Sequence, residues 1–319
     1  MFPLERIVHN FIEIFSPPEV ALAIAGGGCK ALYGLGVGYE MKQWGLALKE
    51  VSGVSAGSAM ALCLIGGSEE ETVEYFEEIT RRNDSNFKLS NLFFGERVFP
   101  HESMYRRTIR FAANWDAIKN SSSKVFILTV RAKPKVEEKF KARVELGKLI
   151  AETAQAYTKD ERDRLAGIVC NRTQEVLKKW NMTEIVYTEK DFHSPEVLEQ
   201  IIMNSSSIPP VVSMQSKENE YYIDGGLTNN LALEFFSDHL PKIGIYYEDS
   251  TLIGKNPDIL NNTYLIKPSE PLPITSFDYT NPKGVRAAYE LGKKDARNQK
   301  EKIMEHIRFK RGQSFPRLW

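Results

Sequence analysis

Three short stretches of this chain carry residue types that could do chemistry together. The first is Gly53-Val54-Ser55-Ala56-Gly57, a G-x-S-x-G pattern. It sits where a strand should end and a helix begin, and a tight turn there would hold the Ser55 hydroxyl above a sheet edge. The helix N-terminus beside it would favour developing negative charge. Read plainly, the same string is a serine N-cap in a glycine-rich turn. The second is Gly26-Gly27-Gly28-Cys29-Lys30-Ala31, also between a strand and a helix. Successive glycine N–H groups aimed into one space make an anion site. One reading is a dinucleotide fingerprint, which needs an acidic residue at the end of the second strand. The only acid available, Glu50, stands at that strand's start. The other reading is an oxyanion hole beside Ser55, since consecutive parallel strands would put both turns on one rim. The third stretch is Asp224-Gly225-Gly226, a carboxylate at a strand end, which taken alone also reads as an ordinary turn.

The elements that must hold these residues follow from hydrophobic period and breakers. Val20–Ala25 reads as a short buried strand, and Lys30–Trp44 as a helix. That helix carries Gly34, Gly36 and Gly38, which make sense only if another backbone packs very close. Glu50–Gly53 is a strand, Ala56–Ile65 a small-residue helix, and Glu69–Arg82 a charged helix. This is the start of an α/β fold, expected to be three-layer α/β/α with a mainly parallel central sheet. Lys124–Val130 is a further strand. Residues 136–180 read as helices broken near Thr158-Lys159-Asp160, so 134–181 is expected to be a helical insertion able to act as a lid. Strands at Thr183–Tyr187, Tyr221–Ile223, Ile243–Tyr246 and Thr263–Ile266 and a helix at Pro195–Met203 continue the body. A basic helix and tail close it over 283–319. Either this helix docks on the core with a solvated basic face, or it meets anionic lipid. Met1–Phe15 has a one-sided apolar face, fit for a helix on the core or a membrane-surface helix.

Composition agrees with one folded unit over 1–319. Of 319 residues, 42% are hydrophobic, and 42 Lys+Arg balance 42 Asp+Glu. Global disorder is excluded, and nothing pulls the chain as a whole toward nucleic acid. Cys29, Cys63 and Cys170 are too few and scattered for a disulfide framework, which suits a reducing compartment. No apolar run is long enough to span a bilayer, and no histidine pair has metal-ligand spacing.

Together the three motifs resemble the patatin-like phospholipases, which are lipid acyl hydrolases. The resemblance covers the loop at Gly26–Lys30, the serine turn at Gly53–Gly57, the small-residue run Met203–Pro210 and Asp224–Gly226, in the family's order. It implies a Ser-Asp dyad, with Ser55 as nucleophile and Asp224 as its base. The N–H groups of Gly26, Gly27, Gly28 and Ala56 would form the oxyanion hole, framed by Cys29, Lys30, Ala31, Gly53, Gly57, Gly225 and Gly226. No metal or other cofactor is implied. The implied substrate is a lipid or phospholipid, met in the cytoplasm or at a membrane surface. Ala31 departs from the family's usual glycine, a small change whose methyl is expected to crowd the oxyanion position. Three alternatives stay open: a catalytically silent lipid-binding or scaffold protein, a nucleotide-binding module, and a Ser-His-Asp esterase using His239 or His306. His9, His101 and His193 read as surface or partly buried residues. Cys29 reads as a small filler or a redox switch. Lys30 reads as a solvated helix start, a loop anchor or a head-group contact.

Overall fold

The run Val20–Ala25 is apolar on both faces because both faces are covered. The computed structural model describes residues 17–134, 139–168, 170–250, 252–253 and 256–314. The amphipathic stretch expected at 1–15 lies outside them. Strand β1 (Glu19–Ile24) sends Val20, Leu22 and Ile24 into the main core and Ala21 and Ala23 into a smaller core on the opposite face. A 3-10 turn at Gly28–Lys30 leads into α1 (Ala31–Gln43), β2 (Ala47–Val54), α2 (Ala56–Gly66) and α3 (Glu69–Arg81). After a 3-10 stretch at Leu89–Phe94 come α4 (His101–Ala112), α5 (Trp115–Lys119) and β3 (Lys124–Ala132). Next are α6 (Lys139–Leu165), α7 (Arg172–Lys179), β4 (Thr183–Thr188) and α8 (Pro195–Ser205). The chain ends with β5 (Gln215–Lys217), β6 (Glu220–Asp224), β7 (Lys242–Ile245), α9 (Pro257–Asn261), β8 (Thr263–Ile266) and α10 (Pro282–Ser314).

The fold is mixed α/β, with a mostly parallel central sheet flanked by helices. Strands β1, β2, β3, β7 and β8 pair in parallel. Strands β4 and β6 run antiparallel to β3, and β5 antiparallel to β6. Strand β3 sets the geometry of the site. Its residues 124–128 pair with β2, 126–131 with β4 and 129–132 with β6. A strand has two edges, so β4 takes one along its length. On the other, β2 and β6 lie end to end. Val54 faces Leu128, and Asp224 faces the next residue, Thr129.

On one face α1, α2, α3, α4, α8 and α10 build the main core. The other face is thinner, covered by the segment Leu231–Leu240 and by Ile259 and Leu260 of α9. The inserted helices α6 and α7 pack on β6 through Leu146, Leu149, Val176 and Trp180.

One expectation changes. Helix α6 runs unbroken through Thr158-Lys159-Asp160, and the break falls at Gly167, where φ is +76°. Asp160 suits mid-helix because its carboxylate accepts the N–H groups of Arg172 (3.3 Å) and Thr173 (2.8 Å), capping α7 across the turn. The basic residues of α10 are largely engaged: Arg286 pairs with Glu70 and Glu77, Lys293 with Glu70 and Glu290, Lys294 with Glu270, and Arg297 with Glu40. That helix crosses α1 at close range. A Cβ on Gly36 would lie 2.1 Å from Tyr289 O, and one on Gly292 would lie 2.1 Å from Tyr33 O. Among the described residues no helix is long and apolar enough to cross a membrane.

Candidate active site

Ser55 sits between β2 and α2 with φ 54° and ψ −131°. A non-glycine residue held there stores roughly 1–3 kcal/mol, which the surrounding structure must impose. The flanking glycines let it do so. A Cβ on Gly57 would lie 2.2 Å from Ile24 O, and one on Gly53 would lie 2.4 Å from Ser58 Cα. The turn is therefore pressed against the end of β1 on one side and folded back on its own helix on the other. Ser55 donates its N–H to Ser205 Oγ (2.9 Å), which in turn donates to Leu128 O (2.6 Å).

The glycine loop lies on the same rim, because β1 pairs with β2 with Ile24 opposite Gly53. Its residues have separate jobs. Gly26 does not serve as an oxyanion donor, contrary to expectation. Its N–H goes to Asn230 Oδ1 (2.9 Å), and its carbonyl accepts from Asn230 Nδ2 (3.3 Å). Among the described residues, the N–H groups of Gly27, Gly28 and Ala56 donate to no protein acceptor. Gly28 has φ +57°, and a Cβ there would meet Ser276 O at 1.9 Å. The same carbonyl accepts the N–H of Cys29 (2.9 Å), so the segment around Ser276 fixes the loop's curvature.

Ala31 is buried in the main core and does not line the cavity, so its methyl does not crowd the site. Cys29 is buried too, and burial pushes its thiol up, as suits a filler and not a reactive thiolate. Lys30 is tied to Glu248 at 3.0 Å.

Asp224 ends β6, is 4% exposed and faces Ser55 across the gap between β2 and β6. Its Oδ1 accepts the N–H of Gly226 at 2.7 Å. Gly225 passes over Leu128 O, which a Cβ there would approach to 2.3 Å. Asp224 Oδ2 is buried with no hydrogen-bond partner. Burial pushes this carboxyl up to about 6, against the opposing pull of the Ser55 hydroxyl and the Gly226 N–H. The Ser55 hydroxyl thus stands beside this carboxyl.

Above this pair lies a cavity of about 420 Å³, a size suited to a small organic ligand or part of a lipid. Its floor holds Gly26–Gly28, Ser55 and Asp224, and its walls are mostly apolar. One wall is the inserted helix α6, through Leu149, Ile150, Ala154 and Tyr157. Tyr157 Oη is 3.3 Å from Ser250 Oγ, and Arg164 donates to Asp249 O at 3.0 Å, so α6 is fastened across the opening. None of the described histidines lines the cavity. His101 binds Phe277 O (2.8 Å) and His306 binds Lys242 O (3.2 Å), and burial lowers the proton affinity of both.

The family model of the patatin-like phospholipases matches residues 22–236, which include every residue of this floor. The chain belongs to that family. Patatin-like phospholipases act on lipid, so this chain is placed among lipid hydrolases, and the apolar walls suit that class. Among solved structures, VipD from Legionella pneumophila is similar at 14% identity and a TM-score of 0.46, covering 92% of this chain and 67% of that one. The type III effector protein ExoU is similar at 13% identity and a TM-score of 0.35, covering 92% of this chain and 54% of that one. No curated protein matches the chain. Beyond the family's motifs, the sequence reading left Asn230 unnamed and gave Ser205 no role of its own. The polar pair Asn229-Asn230 in the apolar run Leu227–Leu233 was the available signal. Among the described residues no cluster of His, Cys, Asp and Glu could hold a metal ion.

Proposed function

We propose that this patatin-like protein is a lipid acyl hydrolase of the phospholipase A or lysophospholipase type, working through a Ser55–Asp224 dyad. The observation that carries the reading is the buried, unpartnered Oδ2 of Asp224 beside Ser55 on the floor of an apolar cavity. A proton acceptor with no partner, held at a raised pKa, is poised to take the serine proton as Oγ attacks an ester carbonyl. The carbonyl oxygen becomes an oxyanion and accepts from the free N–H groups of Gly27, Gly28 and Ala56. Donors of this kind are worth about 2.7–4 kcal/mol each. Asp224 then gives its proton to the departing alcohol, leaving the acyl chain on Ser55. Water enters, Asp224 takes its proton, and a second oxyanion collapses to release the fatty acid and restore the hydroxyl. Proton and electron pair are returned at each turnover, so these residues close the cycle among themselves.

The test is fluorophosphonate labelling of the purified chain, with turnover measured on phospholipid, lysophospholipid, neutral lipid and a soluble ester. Ser55 should label, and Ser55→Ala should lose at least ~10³ in hydrolysis while keeping its fold. Full hydrolysis in folded Ser55→Ala would defeat the proposal.

A further inference from the structure

Five exposed large apolar side chains stand together between residues 87 and 94: Phe87, Leu89, Leu92, Phe93 and Phe94, with Phe93 90% and Phe94 79% exposed. So many in one loop is a patch and not a scatter. The backbone beneath them is closed on itself. Lys88 donates to Val98 O (2.8 Å), Glu96 to Asn91 O (2.9 Å), and the Asn91 side chain to Arg97 O (2.9 Å). Unmet backbone groups are what bar irregular loops from an apolar phase, and this loop has met many of its own. Two of its charges are paired as well. Lys88 pairs with Asp84 and Arg97 with Glu102.

The loop is rooted at the mouth of the cavity. Asn86 accepts the N–H of Tyr279 (2.8 Å), and Arg97 donates to Pro210 O. Phe277 and Pro209, within two residues of those partners, line the cavity. A protein seated on these side chains would stand beside the cavity that substrate must enter. A lipid surface there would supply the substrate.

We propose that the 87–94 loop is a bilayer-docking element that buries Leu92, Phe93 and Phe94 in the lipid interface and holds the cavity mouth against it. Apolar contact, not charge, drives the docking. The inference rests on the lipid-hydrolase reading for its substrate and deepens it.

The test uses the full chain in a Ser55→Ala background, so vesicles stay intact. Flotation with phosphatidylcholine vesicles is compared with and without Leu92→Ser, Phe93→Ser and Phe94→Ser together, after circular dichroism shows both folded. Binding should fall at least ~10-fold, as expected for removing three inserted apolar groups, and added salt should change it little. In the active chain, the same triple change should cut turnover on vesicles and leave a soluble short-chain ester within about twofold. A second variant, Phe93→Trp, should gain fluorescence quenching from brominated phosphatidylcholine. Unchanged flotation in the folded triple variant, binding abolished by salt, no added quenching, or loss of self-association alone would each overturn the docking role. Loop-dependent flotation without any ester hydrolysis would defeat the catalytic reading and leave this one standing.

Discussion

Asp224→Asn should remove activity and stabilise the fold, with the gain growing as pH rises. The carboxyl is raised from 3.8 to about 6 by burial. Between those values the folded chain binds the proton and the unfolded chain does not, so its contribution is full at low pH and is lost as pH rises through about 6. At about 1.36 kcal/mol per decade of affinity, the whole loss is roughly 3 kcal/mol. Between about pH 4.5 and about pH 7.5 it is roughly 2 kcal/mol. Asparagine carries no titrating group, so the stability difference between Asp224→Asn and the parent should grow by that amount across the interval. A constant offset from the unpartnered amide is added at every pH. Denaturant titrations at a series of pH values measure the growth directly. Catalysis runs the other way. The base must be ionised, so kcat/KM on a soluble ester should rise with pH, level off above about 7, and stand roughly tenfold below the plateau at about pH 5. Asp224→Asn should fall ~10²–10⁴-fold. A histidine base acting without Asp224 would give a similar activity profile, yet its activity would survive Asp224→Asn. A flat difference, or an activity inflection below about pH 5, would refute the buried-base argument.

Gly28→Ala should cost ~1–3 kcal/mol of stability and most of the activity, because its Cβ would meet Ser276 O at 1.9 Å; thermal melts and ester turnover check both. Asn230→Ala frees both ends of Gly26, and kcat should drop ~10–100-fold with KM little changed, as befits a residue that positions the oxyanion loop. Ala154→Trp fills the cavity from α6, and a chain-length series of esters should show long chains penalised far more than short ones. Gly292→Leu forces apart α1 and α10 where a Cβ already approaches Tyr33 O to 2.1 Å, lowering stability by at least ~1–3 kcal/mol in denaturant titration.

The serine turn was legible because its chemistry needs small neighbours in sequence, and Gly53 and Gly57 supply them. The glycines of α1 likewise announced a close backbone, though not that α10 would provide it. What the sequence hid were partners far along the chain. Strand β2 begins at Ala47 and not Glu50, since the buried Glu50 carboxylate accepts Ser237 N–H (2.7 Å) and pairs with Lys124. No local pattern shows that compensation. The direction of β6 was hidden by an atypical hairpin, in which Glu218 and Asn219 take positive φ without a glycine. Gly26 looked like an oxyanion donor because nothing near it in sequence reveals Asn230. The chain from 83 to 120, whose helices α4 and α5 went unread, also carries the docking loop.

The end-to-end meeting of β2 and β6 has a consequence for how such a protein can change over time. Val54, the residue before Ser55, and Asp224 are each registered against β3, at Leu128 and Thr129, and not against one another. The hydrogen-bond ladder of one strand acts as a common datum for both halves of the dyad. The inserted stretch between β3 and β4 can therefore lengthen, shorten or be exchanged without realigning the reacting groups, while Ser205 and Ser207 further on stay tied to Ser55 and Asp224. That stretch includes α6, the wall that faces the substrate. On the proposed dyad, selectivity and catalysis are thus written on separable parts, and a lineage can revise the first while the second stays in register.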